Sequence, residues 1–242
     1  MLSVENIGAE RGDARALHDI SFTLSAGKTL AVVGESGAGK STLIAVILGL
    51  LRPSQGTVRW NGLPVSACRP ALVMQEPRSA FNPALPLRWS VLEPIMAQKA
   101  AVPTDRLNRL CDGLELSRDL LDRRPGEVSI GQAQRVGILR ALIAAPALVL
   151  FDEPLSALDA ATQKHTAMLI AQLQREEVFA ALIVTHDLGY AVAHADEIAV
   201  LRQGHIEEIG DPQRFAAAPA SDYGKALRDA AISLGALEVL GW

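Results

Sequence analysis

Residues 34–41 read Gly-Glu-Ser-Gly-Ala-Gly-Lys-Ser, a spacing of glycines, one lysine and one hydroxyl that builds a cradle for nucleotide phosphates. Gly34 and Gly39 permit a tight loop whose backbone N–H groups point inward, and Lys40 supplies a point charge for the β- and γ-phosphates. Ser41 offers its hydroxyl to Mg²⁺. The candidate nucleotide-binding set is therefore Gly34, Glu35, Ser36, Gly37, Ala38, Gly39, Lys40, Ser41 and Thr42. A second group of residues fits the same chemistry. The apolar run 147–151 ends in Asp152-Glu153-Pro154, which puts two carboxylates at the carboxyl edge of a parallel sheet, where ligands bind in open α/β folds. Asp152 is placed to hold Mg²⁺, and Glu153 to accept a hydrogen bond from a water aimed at the γ-phosphate. His186 follows the buried run 180–185 and would donate to the same phosphate. Gln75, after the short apolar run 71–74, could reach Mg²⁺ or the attacking water. Ser129 and Gln132 have the spacing of a capping box, and a helix start with a hydroxyl and unpaired N–H groups is also an anion site.

These residues need rigid elements to hold them. The run 29–33 is apolar and β-branched and 42–48 is apolar at helix length, which gives the phosphate loop its strand before and helix after. Residues 17–24 alternate partly, and 56–62 end in an Asn-Gly turn, so an antiparallel layer is expected beside the loop. From about 88 to 145 the pattern becomes helical, clearest over 91–97, 104–114 and 130–145, as an inserted helical subdomain would be. Strand and helix then alternate: 147–151, 160–175, 180–185, 198–201 and 205–209. The predicted fold is α/β: a P-loop core with a mainly parallel sheet, an N-terminal antiparallel β subdomain and an inserted helical subdomain. The expected domain runs over 1–219, with the helical insertion at about 77–145. The Ala/Pro-rich 216–220 would set off a short tail, 220–242.

A chain of 242 residues with 49% hydrophobic content can bury a full core. Its longest apolar stretch, around 141–151, is interrupted by Pro146 and too short to span a bilayer, and the first residues lack an export signal. The chain is therefore expected to be soluble and cytoplasmic. Two cysteines, Cys68 and Cys111, are too few for a disulfide or metal framework, and a net charge of −4 without a Lys/Arg block argues against nucleic acid as partner.

Taken together, the motifs resemble the nucleotide-binding subunits of ABC transporters over nearly the whole chain. The matching elements are Walker A at 34–42, a Q-loop at Gln75, a signature at Val128-Ser129-Ile130-Gly131-Gln132, Walker B through Asp152-Glu153, a D-loop at Ser156-Ala157-Leu158-Asp159 and a switch histidine at His186. The resemblance implies an ATPase that uses ATP and Mg²⁺ and pairs with a second ATPase subunit, alike or different. Each nucleotide would lie between Walker A of one subunit and Ser129, Gly131 and Gln132 of the other. It further implies transmembrane permease subunits, a substrate-binding protein acting indirectly, and a place on the cytoplasmic face of the inner membrane. The segment 75–83, Gln-Glu-Pro-Arg-Ser-Ala-Phe-Asn-Pro, looks like that of peptide and nickel importers, where it meets the permease. An ATP-binding subunit of a soluble, non-transport complex would share the motifs. No long heptad insertion supports a DNA-repair ATPase, and one cassette is too few for a tandem translation ATPase.

The chain departs from the pattern in three places. Ile130 occupies the first glycine of the signature, where a β-branched residue is expected to resist positive φ and to stiffen the site offered to the partner. No aromatic stands near Ala9, Glu10 or Arg11 to stack on adenine, which leaves the Arg11 guanidinium plane. The tail lacks the cysteine-bearing extension common among peptide importers, which shifts the expectation toward nickel or a metallophore.

Overall fold

The computed structural model of the chain describes residues 1–12, 14–235 and 237; the end of the tail expected over 220–242, at 236 and 238–242, lies outside the described residues. Two compact units are present, one of residues 1–70 together with the chain from Ala180 onward, the other of residues 71–179.

In the first unit β1 (Leu2–Arg11) pairs antiparallel with β2 (Ala14–Leu24). The strand β3 (Thr29–Val33) is buried along its length, as its uninterrupted apolar run requires of a strand covered on both faces, and leads through the phosphate loop into α1 (Lys40–Ile47). Next, β4 (Gln55–Trp60) pairs with the other edge of β1 and turns back through Asn61-Gly62 into β5 (Leu63–Pro64). Asn61 and Gly62 have φ of 50° and 80°, the left-handed pair that a two-residue hairpin turn demands. The antiparallel layer thus has the order β2-β1-β4-β5.

The second unit begins with β6 (Ala71–Val73) and continues through α2 (Leu87–Ala97), α3 (Thr104–Gly113), α4 (Ile130–Leu142), β7 (Leu148–Asp152) and α5 (Ala160–Glu177). The strands β6 and β7 are parallel, with Val73 opposite Phe151. Leu87, Val91 and Ile95 line the buried face of α2, which packs on α4. Helix α4 ends three residues before the expected 145. Ala145 has φ of 53° and stands before Pro146, whose ring disfavours helical backbone in the residue it follows.

The chain returns to the first unit as β8 (Ala180–Thr185), α6 (Leu188–His194), β9 (Glu197–Arg202), β10 (His205–Gly210), α7 (Pro212–Ala217) and α8 (Asp222–Ser233). There β3 lies parallel between β8 and β9, and β10 pairs antiparallel with β9. Helices α6, α7 and α8 close one face, with Leu188, Val192, Phe215 and Tyr223 packed on Val33, Ile198 and Val200. The fold is α/β of the P-loop type, with a mainly parallel sheet, an antiparallel β layer and helices inserted between β6 and β7. Among the described residues no helix is long and apolar enough to cross a membrane.

Candidate functional site

Parallel pairing sets the site of the first unit, because Val33 lies opposite Thr185. The phosphate loop and His186 therefore leave neighbouring strands at the same carboxyl edge. Gly39 has φ of 109°, and a Cβ there would stand 2.8 Å from the Ala16 carbonyl oxygen and 2.9 Å from Leu17 Cδ2, so glycine alone fits. Helix α1 starts at the next residue. Among the described residues no side chain caps it and no acid lies in its first turn, whereas Ser129, Asp159, Asp187, Asp211 and Ser221 each cap the helix that follows them. A helix start kept clear of carboxylates suits an anion.

Lys40 is 7% exposed, and its Nζ donates to the carbonyl oxygens of Gly34 at 2.8 Å and Glu35 at 2.9 Å. The ammonium thus ties the start of the loop to its end. Ala38 is buried and Thr42 turns into the core, while Glu35, Ser36, Gly37 and Ser41 are exposed. His186 is exposed on a short bend. Asp187 N–H donates to Thr185 Oγ1 at 3.0 Å, and Asp187 Oδ1 accepts from Tyr190 N–H at 2.9 Å to start α6.

The second unit holds the carboxylates. Asp152 ends β7, and Glu153 follows with φ of 45°, a left-handed conformation that costs a non-glycine residue on the order of 1 kcal/mol or more. Gln75 leaves the parallel neighbour β6 at the same edge, and its Nε2 donates to Glu153 Oε2 at 3.2 Å. The structure therefore brings Gln75 to Glu153.

At the signature, Ser129 Oγ accepts from Gln132 N–H at 3.2 Å, and Gln132 Oε1 accepts from Ser129 N–H at 3.0 Å. The capping box read from the sequence is present. Ile130 opens α4 in helical backbone, which corrects the expectation of positive φ: a β-branched residue sits there without strain, and its side chain is 45% exposed. Gly131 has a packing reason, since a Cβ there would stand 3.0 Å from Thr162 Cγ2 on α5. Asp159 caps α5 through Thr162, whose hydroxyl and amide hold its carboxyl below the usual range. Arg11 ends β1, exposed, opposite Ala14.

Two supports were not read from the sequence. Gly204 N–H donates to the Ala38 carbonyl, and its own carbonyl accepts from His18 N–H, both at 2.8 Å. The Gln203-Gly204 turn was the available signal, with φ of 46° and 77°. Arg78 Nη2 donates to the carbonyl of Val128, just before the signature, at 2.5 Å; nothing in local spacing announces a contact across 50 residues.

A glycine-lined phosphate loop between a buried parallel strand and a bare helix start defines a P-loop nucleotide-binding protein. Residues 17–156 match the ABC transporter family. The chain is 36% identical over 234 residues to the probable peptide ABC transporter ATP-binding protein y4tS of Sinorhizobium fredii, covering 90% of this chain but only 65% of that protein's length. It is 34% identical to the oligopeptide transport ATP-binding protein OppF of Salmonella typhimurium (89% of this chain, 69% of OppF). The same identity holds for the nickel import ATP-binding protein NikE of Shigella dysenteriae serotype 1 (89% and 85%). Among solved structures, cbiO1 from Clostridium perfringens, part of the ABC transporter complex cbiONQ, superposes with a TM-score of 0.79 at 25% identity, covering 90% of each chain. A dimeric post-hydrolysis state of the ATP-binding cassette MJ0796 bound to ADP and Pi superposes with a TM-score of 0.76 at 25% identity, covering 88% of this chain and 99% of that one. The chain belongs to the ABC transporter family, as an ATP-binding and ATP-hydrolysing cassette.

Proposed function

We propose that this chain energises an importer of the peptide and nickel group, on the cytoplasmic face of the cell membrane, as one of two ATPase subunits docked on transmembrane permeases that a substrate-binding protein supplies. The relatives named for peptide, oligopeptide and nickel transport support the group. Residues 34–42 hold the triphosphate, with Lys40 on the β- and γ-phosphates. The residues that would hold Mg²⁺ are Ser41 in the first unit and Gln75 and Asp152 in the second: a hydroxyl, an amide and a carboxylate oxygen, each by its chemistry a hard donor that suits that ion. When bound, Mg²⁺ neutralises charge on the β- and γ-phosphates. Glu153 accepts a proton from the attacking water, and His186 donates to the γ-phosphate. Ser129, Gly131 and Gln132 serve the nucleotide of the second subunit.

The observation that carries this proposal is the Gln75–Glu153 hydrogen bond, because Gln75 also opens the segment that leads to a surface groove. The groove, of about 440 Å³, is lined by Asn82, Leu85, Trp89, Glu93 and Met96, and Trp89 is 54% exposed. An apolar helix from a permease fits such a groove, and its seating would reach Glu153 through Gln75. The test is Trp89→Glu in the assembled transporter. Losing a central aromatic anchor typically costs 2 kcal/mol or more, so transport and permease-stimulated ATPase should fall at least about 30-fold, with the basal ATPase of the isolated chain within about twofold. Undiminished transport by the variant, or a chain that purifies only with soluble partners, would sink the proposal.

Ile130 adds an asymmetry. Its exposed side chain stands where the signature would face the partner's nucleotide, so the site built on Lys40 should turn over while the opposite site is impaired. Ile130→Gly is expected to raise the ATPase of the assembled transporter about twofold, as one of two sites recovers. Unchanged ATPase and transport would overturn the asymmetry.

A further inference from the structure

The C-terminal helix reaches the phosphate loop. Tyr223, in the first turn of α8, is 9% exposed, and its ring lies in the core with Val33 and Val200. Its hydroxyl oxygen accepts a hydrogen bond from the backbone N–H of Glu35 at 3.3 Å, across 188 positions of sequence. The carbonyl of that same residue accepts from Lys40 Nζ at 2.9 Å. One residue therefore joins the tyrosine to the lysine, its N–H held on one side and its C=O used on the other.

The start of α8 is fixed with unusual redundancy. Ser221 Oγ accepts from Gly224 N–H at 2.8 Å, while Glu208 on β10 accepts from Ser221 Oγ and from Ala220 N–H, both at 2.6 Å. A Cβ at position 224 would meet Glu208 Oε1 and Ser221 Oγ, so a side chain there would push these two groups from their places. The Arg202 guanidinium lies 4.7 Å from the centroid of the Tyr223 ring. Burial pushes the Tyr223 hydroxyl above its ordinary range, so it stays protonated and neutral beside the loop. These contacts hold a hydroxyl in place at a point where the loop begins.

We infer that Tyr223 is a positioning residue for the phosphate loop: its hydroxyl fixes the Glu35 peptide, Glu35 fixes Lys40, and ATP affinity thereby depends on the seating of α8. The inference rests on the loop's role in binding ATP. A contact the protein makes within itself pre-organises the loop, and its loss weakens ground state and transition state alike. The effect belongs in KM and not in kcat.

The test uses the full chain as wild type, Tyr223→Phe, Tyr223→Leu and Glu208→Gln, with ATPase kinetics, equilibrium binding of a fluorescent ADP analogue, the apo unfolding temperature and the backbone amide resonance of Glu35. Phe keeps the ring, its packing and the Arg202 contact. Tyr223→Phe should raise KM for ATP and the analogue's Kd about three- to tenfold, the range of one net hydrogen bond, with kcat within about twofold. The Glu35 amide resonance should move, the unfolding temperature should stay close to wild type, and Glu208→Gln should shift KM in the same direction. If Phe supports wild-type KM and Kd while only Leu is impaired, Tyr223 is a core residue and the inference fails. An unmoved Glu35 resonance in Tyr223→Phe overturns it even if the wild-type chain bound no nucleotide, an outcome that would instead count against the ATP-binding role.

Discussion

Glu153→Gln is expected to slow ATP turnover about 10²- to 10⁴-fold, the usual range for removing a positioned general base, while ATP affinity stays within about threefold of wild type. The substitution keeps the shape of the side chain and removes its ability to take a proton. The geometry makes this a clean change. Glu153 is held at the end of β7 between Asp152 and Pro154, and its carboxylate accepts from Gln75 Nε2 at 3.2 Å. An amide in its place can still accept from Gln75 through its oxygen, so the second unit should keep its fold. The left-handed backbone at 153 is the same for Glu and Gln, and neither gains from it. Single-turnover ATPase assays and equilibrium titration on the same preparation separate the two quantities. Wild-type turnover in this variant would remove Glu153 from the proposed chemistry, and a parallel loss of affinity would place it in binding instead.

The parts legible in the sequence are those where one local signal is strong. Four consecutive apolar residues after Thr29 gave β3, glycine spacing gave the loop, and Asn61-Gly62 gave the β4–β5 turn. Ser129 and Gln132 gave the cap of α4 because a capping box is a three-residue pattern. Other elements escaped for physical reasons. Helix α6 has seven residues, too few for a 3.6-residue period to register, and depends on the Asp187 cap and on packing against β3. Helices α7 and α8 flank the Ala/Pro-rich stretch 216–220, which reads as a linker, yet Phe215 before it and Tyr223 after it are buried against β3 and β9. The signature was misjudged at Ile130 for a different reason: a glycine in a motif suggests positive φ, but this position is the first residue of a helix. The Tyr223 and Gly204 contacts to the loop are long-range, and no spacing rule links residues 35 and 223 or 38 and 204.

Lys40→Met should abolish measurable ATPase and lower ATP affinity at least about 100-fold, since hydrogen bonds to a charged group are each worth roughly 1.5–3 kcal/mol and the lysine makes several. The Lys40 ammonium donates to Gly34 O and Glu35 O, at 7% exposure. Methionine keeps much of the unbranched stem and its packing but leaves both carbonyls without that donor and the phosphates without a counter-charge. The loop should therefore loosen as well as lose its charge, and the apo protein should be destabilised by about 1–3 kcal/mol. Arginine should not rescue it. The loop closes over Gly39, where even a Cβ would meet the Ala16 carbonyl, and a planar guanidinium cannot replace a compact ammonium between two carbonyl oxygens. Calorimetric titration with ATP, set beside the same titration on Glu153→Gln, separates capture of the nucleotide from its turnover. The lysine variant should fail at capture and the glutamine variant only at turnover. Retained micromolar binding in Lys40→Met would mean that the backbone N–H groups at the start of α1 hold the triphosphate unaided, and Lys40 would then belong to catalysis alone.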